Sequence, residues 1–436
     1  MNRLELLWTH LRSSFWFLPM LIYAASIVIA VALIEADAGN ARGLIDHWPR
    51  LFGSGAAGAR GMLSTIAGSM MTVVGVTFSM TLVTLALASS QYTSRILRNF
   101  MSDRLTQIVL GIFGGIFIYC LIVLRTIRGG EDDYVPSLAV LFGVVFAIGG
   151  ITMLIFFIHH IASSIQASSI IESVTQETLA AIDRLLPADR DDEGPALEDR
   201  TVPATSLHAS TSQKVTATRI GYIQSIDVET ALRVATEHEA IVRLERGVGE
   251  FVVIGTGLAS IESQTPAPED VIDRLAKVFN IYRFRTVDQD PGFGIRQIVD
   301  IALRALSPSV NDTTTAAMCV DYLSAILAHL AGREFPSCVH RHEGAVRVVS
   351  VEQTFSGLLA GAFDQIRSSA RGNLSIIVRM LEALQRLAAR ARDDQRRRPL
   401  AEYLDCMTEL RDSLASVYER DQFDATPRRA RGVLGR

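Results

Sequence analysis

Lysine is almost missing: Lys214 and Lys277 are the only two among 42 basic residues. The arginine excess fits a GC-rich coding bias better than a use for guanidinium groups. Cysteine is scarce, and the four present (Cys120, Cys319, Cys338, Cys406) are scattered. That excludes a disulfide framework and favours a reducing compartment for any soluble part. Charge is thin at 20%, against about a quarter in ordinary soluble domains. It is absent altogether from Ser13 to Ile34, Gly61 to Ser94, Leu105 to Leu124 and Tyr134 to Ile171. Each run reaches the roughly 20 apolar residues that cross a bilayer core, so a purely soluble protein is excluded. A net charge of −4 leaves no basic footprint for nucleic acid. Enzyme signatures are missing as well: no P-loop, no Gly-x-Ser-x-Gly elbow, no His-Glu-x-x-His. Gly247-Val248-Gly249 precedes a strand-like run and reads as a turn, not a dinucleotide fingerprint. Neither an enzyme nor a bound cofactor is expected.

What is present is an integral membrane α-helical region of four transmembrane helices followed by a soluble α+β C-terminal domain. The spans fall at about Phe15–Leu33, Met62–Ser89, Leu105–Leu124 and Pro136–Ile158. The first, preceded by Arg3 and Arg12 and lacking a clean cleavage site, reads as an uncleaved helix. Arginine counting is balanced and does not orient the bundle. The acidic Glu131-Asp132-Asp133 loop is assigned outside and the cysteine-bearing domain inside, giving cytoplasmic termini in a bacterial inner membrane. The expected divisions are 1–160 for the membrane domain, 161–204 for a helical extension (Ala162–Leu185, continuing the fourth helix) and an acidic hinge, 205–420 for the soluble domain, and 421–436 for a basic disordered tail. Within 205–420, Lys214–Ile226 alternates like a strand, and Asp227 can N-cap Val228–Glu239. Ile241–Glu245 and Phe251–Ile254 read as a hairpin. Helices are expected at Pro268–Phe279, Phe293–Leu306, Thr313–Leu330, Phe355–Ser369, Leu374–Arg392 and Pro399–Tyr418, with a strand at Ala345–Val351.

Two stretches carry a resemblance. One is Leu87-Ala88-Ser89-Ser90-Gln91-Tyr92-Thr93-Ser94-Arg95, ending the second span. The other runs from Arg285-Thr286-Val287-Asp288-Gln289-Asp290-Pro291-Gly292-Phe293-Gly294-Ile295-Arg296-Gln297 through Asp300 to Ser307-Pro308-Ser309-Val310-Asn311-Asp312. Both resemble the bacterial predicted-membrane-protein family called domain of unknown function 2254. The resemblance implies an inner-membrane location and brings no activity with it.

In the second span Thr65, Ser69, Thr72, Val76, Ser79, Val83 and Ala86 recur at three- and four-residue steps and share one helical face. Gly61, Gly68 and Gly75 repeat beside it. Small residues let helices pack closely, and hydroxyls on an uncharged wall can also solvate a passing ion. Thr65, Ser69, Thr72 and Ser79 are therefore the pore-lining candidates. No acid or base lies within any expected span, which disfavours a proton-driven transporter. Gly111 and Gly115 give a pairing motif in the third span. In the soluble domain, Arg285, Asp290, Arg296, Asp300, Asn311 and Asp312 are the candidates for a ligand site or subunit interface. Arg296 and Asp300 also suit a helical ion pair, and Asn311 or Asp312 a helix cap. Cys338, His340 and His342 alternate in a presumed loop, but no fourth ligand is near and a zinc site is not expected. Arg396-Arg397-Arg398 reads as a solvated run. The sequence thus points to a homo-oligomer in the lipid bilayer that passes small ions under control of its soluble domain. The alternative is a membrane-anchored sensor or scaffold whose soluble domain binds a ligand or partner.

Overall fold

A computed structural model describes residues 16–47, 55–91, 104–128, 134–164, 166–187, 211–351, 353–391 and 393–424. The chain divides into two compact units, Met1–Ser169 and Ile170–Arg436. The second motif of the resemblance is fully described. The 92–95 end of the first motif, the acidic outer loop, most of the acidic hinge and the chain after 424 lie outside the described residues.

The first unit holds four helices long and apolar enough to span a membrane: α1 (Phe17–His47), α2 (Ala56–Gln91), α3 (Arg104–Thr126) and α4 (Ser137–Ser164). The most enclosed of them is α3, with Val109, Phe113, Tyr119 and Val123 at its buried face. Its glycines are where α1 approaches: a Cβ at Gly111 would meet Ile22, one at Gly114 would stand 2.6 Å from the Tyr23 hydroxyl, and one at Gly115 would meet Ser26. The glycine pair read from the sequence is therefore used inside the chain. The Tyr119 hydroxyl donates to the Ala139 carbonyl at 2.7 Å and locks α3 to α4.

Two expectations here are corrected. The first span extends past Leu33 to Asp37, so two carboxylates, the exposed Glu35 and the buried Asp37, do lie in a membrane-length helix. Asp37 is buried and accepts hydrogen bonds from the backbone N–H groups of Ser137 and Leu138, capping α4. That is how an acid is tolerated there. The fourth helix does not run on unbroken: α4 stops at Ser164, and α5 (Ala167–Leu185) restarts beyond it. The Ser164 hydroxyl donates back to the His160 carbonyl at 2.8 Å, giving the backbone a competing partner at the helix end.

The second unit begins with α5 and continues β1 (Thr211–Thr216), β2 (Gly221–Ile226), α6 (Val228–Glu237), β3 (Ile241–Leu244), β4 (Phe251–Val252), β5 (Gly257–Ser263), α7 (Glu269–Ala276) and β6 (Phe279–Tyr282). There follow α8 (Pro291–Ala305), α9 (Thr313–Leu330), β7 (Val339–His342), β8 (Ala345–Val349), α10 (Phe355–Ser369), α11 (Leu374–Ala388) and α12 (Asp394–Thr408). One sheet has the order β1-β5-β3-β8-β7, antiparallel except for β3 beside β8; a second has the order β4-β2-β6. Val215, Val242, Leu258, Ile261 and Val348 pack against Val234 of α6 and Leu275 of α7 to form its core. The helices α8 to α12 form a separate helical layer with its own buried aliphatic faces.

Several local expectations change. The alternating run Lys214–Ile226 is two strands in different sheets. The expected hairpin across Arg246–Gly249 does not form: β3 pairs with β5 and β8, whereas β4 pairs with β2. The Arg246–Glu250 ion pair and the Gly247 N–H donated to Glu250 close the linking turn on itself, so it does not join two paired strands. The helix expected to reach Phe279 ends at Ala276, because Phe279 and Ile281 are buried as alternate residues of β6. The stretch read as a loop is strand β7 from Val339 onward, which carries His340 and His342 and leaves Cys338 just before it. Arg396 is not solvated: it is 7% exposed, pairs with Asp393 and donates to the Arg333 carbonyl near the start of α12. Residues 421–424 are helical, with Phe423 buried, and are not part of a disordered tail.

Candidate functional site

The α2 helix has two unlike faces. Leu63, Ala67, Met70, Thr77 and Thr84 turn into the bundle, with Leu63 against Gly143 and Met70 against Gly150 of α4. On the other side Thr65, Ser69, Thr72, Val76, Ser79, Val83 and Ala86 are all exposed. A Cβ at Gly61, Gly68 or Gly75 would meet nothing within 4 Å. The Thr65 and Thr72 hydroxyls donate to the Gly61 and Gly68 carbonyls at 2.8 and 3.0 Å. Their protons are thus satisfied along the helix, on residues that are exposed on this face. All four pore-lining candidates lie on this outward face.

The soluble-unit candidates fall into three places along α8. At its start, Asp290 is the N-cap: Oδ1 accepts from the Phe293 N–H at 3.1 Å, and Oδ2 takes Nε and Nη2 of Arg285 at 2.9 and 2.6 Å. Arg285 lies over the Phe293 ring. Asp290 is 2% exposed, and that burial pushes its carboxyl up from the ordinary range against the pull of Arg285 and the Phe293 N–H. Gly249, at φ +90°, rests on this pair; a Cβ there would stand 2.5 Å from Asp290 Oδ2. Midway along α8, Arg296 pairs with Asp300 at 2.8 Å. At the far end Asn311, at φ +48°, turns the chain, and Asp312 caps α9 by accepting from the Thr315 N–H at 3.0 Å. The fifteen residues of α8 separate Asp290 from Asn311, about 22 Å at the usual helical rise. The structure brings Arg285 to Asp290 and Arg296 to Asp300, but it does not gather the six into one place. Gly294, in the same motif, is where α5 approaches: a Cβ there would overlap Thr178 Oγ1.

Next to the motif lies a cavity of about 330 Å³ that the sequence did not reveal. Gln289 forms part of its wall, with Leu185 and Leu186 at the end of α5, Val248, Cys338 and His340. His340 Nε2 is 3.3 Å from Ser350 Oγ, and burial pushes the imidazole below its usual value, keeping it neutral at pH 7. His342 lines a different recess beside α6, so the three alternating donors are not gathered. Among the described residues no three His, Cys, Asp or Glu side chains are placed to hold a metal. The only hint in the sequence was the loop-like spacing around Pro336, because the cavity is assembled from six separated segments.

A family model described as "Predicted membrane protein (DUF2254)" matches residues 12–386. An uncharacterized protein of Mycobacterium tuberculosis (strain H37Rv) and one of Mycobacterium bovis are each 33% identical over 412 residues, covering 91% of this chain and 76% of the relative. No solved structure matches.

Proposed function

The chain belongs to the family of predicted membrane proteins (DUF2254), and from that premise we propose that several copies assemble through the outward face of α2 and pass small ions. The location is a bacterial inner membrane with both termini cytoplasmic, and the soluble unit gates or regulates the passage without being an enzyme. The observation that carries this reading is the exposed, charge-free stripe Thr65, Ser69, Thr72 and Ser79 beside three glycines whose missing side chains leave open space. Small faces are characteristic of close helix association, and hydroxyl oxygens on an uncharged wall replace part of an ion's hydration without trapping it.

Ion flux across proteoliposomes containing the full-length protein tests it. Thr72→Phe and Ser79→Phe are each expected to abolish flux, with the protein still folded, because both residues already face outward and add no bulk to the bundle core. Flux unchanged in both variants removes this face as the pore wall. A second reading, a membrane-anchored sensor, is favoured by the cavity beside Gln289. Absence of flux under voltage, tension and pH steps leaves that reading in place.

A further inference from the structure

The hairpin of β7 and β8 carries an irregularity whose side chain has no partner. Its strands turn at Glu343 and Gly344, both in left-handed backbone. His340 lies opposite Val348, but Arg341 lies opposite Val346. One step along β7 thus spans two along β8, and Arg347 is the extra residue of a bulge. Bulges re-aim a side chain relative to the regular pleat. Arg347 is half-buried, makes no hydrogen bond or ion pair with any described residue, and has an Nε–H shut off from water with no acceptor. The buried Nε of Arg367 and of Arg396 also lacks an acceptor, but Arg396 pairs with Asp393 and Arg367 lies over the Tyr403 ring, whereas Arg347 has no partner for any of its nitrogens among the described residues. A partly desolvated guanidinium without an acceptor is unfavourable, and it is tolerated best where an anion from outside completes it.

Arg347 stands in the wall of a cavity of about 520 Å³ shared with Arg341, His238, Glu239, Thr265 and Ile241. Two guanidiniums, Arg341 and Arg347, share this wall with the single carboxylate of Glu239. Glu239 is exposed, where water and salt screen it. Arg341 donates one N–H to the Gly344 carbonyl at 3.2 Å, which fixes its head at the same end of the hairpin. Guanidinium groups present forked donors that match carboxylate and phosphate oxygens, and Ile241 gives the wall an apolar strip for the rest of a ligand.

We propose that this cavity binds a small organic oxyanion, a carboxylate or a phosphate, on Arg347 and Arg341. The site is separate from the α2 face and from the Arg285–Asp312 motif, so it stands or falls independently of ion passage.

The test is thermal unfolding and titration calorimetry of the full-length protein in detergent, with citrate and inorganic pyrophosphate as probes and sodium chloride at matched ionic strength as control. The expected result is a saturable stabilisation by at least one probe beyond the chloride control; the probe that acts tells carboxylate from phosphate. Arg347→Gln and Arg341→Gln are each expected to weaken that binding about tenfold or more, the loss of one charge-assisted contact. Arg398→Gln, a surface change far from the cavity in sequence at a residue paired with Glu402, should leave it unchanged. Arg341 is exposed, so its variant keeps the test open if Arg347→Gln fails to fold. No saturable effect from either probe, or wild-type binding in the folded variants, overturns the proposal.

Discussion

At the scale of single residues, the most demanding position is Gly294. Its Cα–H is set against Thr178 where α5 crosses α8, and any Cβ overlaps the Thr178 hydroxyl. Gly294→Ala is therefore expected to destabilise the protein by about 1–3 kcal/mol, the usual range for overpacking, seen as a lower unfolding temperature in detergent. Adding Thr178→Ala should recover part of the loss, since the hydroxyl and methyl that crowd the site are then gone. No recovery in the double variant would mean that the loss comes from elsewhere on α8. Gly294 stands out in the sequence only as part of the Arg285–Gln297 motif. Its reason is a contact with a residue more than a hundred positions away, so spacing alone could not supply it. Asp37 behaves likewise: it looks like the polar end of the first span, and its tolerance comes from the N-terminus of α4.

Helix caps were the features of elements most readable in advance. Asp227 and Asp312 stand before apolar periodic runs, and each accepts from the backbone N–H three residues on. The Thr230 and Thr315 N–H and hydroxyl groups that bond these carboxylates hold both below the ordinary Asp range. A depressed folded value means that the stabilisation is complete above the unfolded Asp value near 4 and is lost as pH falls through the lower folded values. The unfolding temperature is expected to fall steeply below about pH 4. Asp312→Asn should keep the cap and flatten that acid slope, while Asp312→Ala should cost about 1 kcal/mol at neutral pH. Equal acid slopes in wild type and Asp312→Asn would remove Asp312 as a contributor. Strands were read less well for a definite reason. Period-two alternation says that a segment is half-buried but not which strand it joins, so Phe251–Val252 went to a hairpin that the sheet does not contain.

For the whole molecule, the telling contrast is between two sets of membrane glycines. Gly111, Gly114 and Gly115 of α3 are closed by α1, whereas Gly61, Gly68 and Gly75 of α2 are open. If copies associate through the open set, a Ser69→Cys variant in a background lacking the native cysteines should cross-link between subunits in membranes. A cysteine at the buried Phe113 should not. Failure of Ser69→Cys to cross-link, with the protein intact, would sink assembly through this face. The amino-acid sequence by itself determined that the chain crosses a membrane four times before an α+β unit, because span length and hydropathy are properties of contiguous residues. It also determined the caps, since a cap is made within three residues. Which glycine stripe is filled and which is free, which strands pair, and which arginine goes unmatched were decided only by tertiary structure. Each of those depends on distant segments meeting, and the free energy of such a meeting is not written in any local pattern.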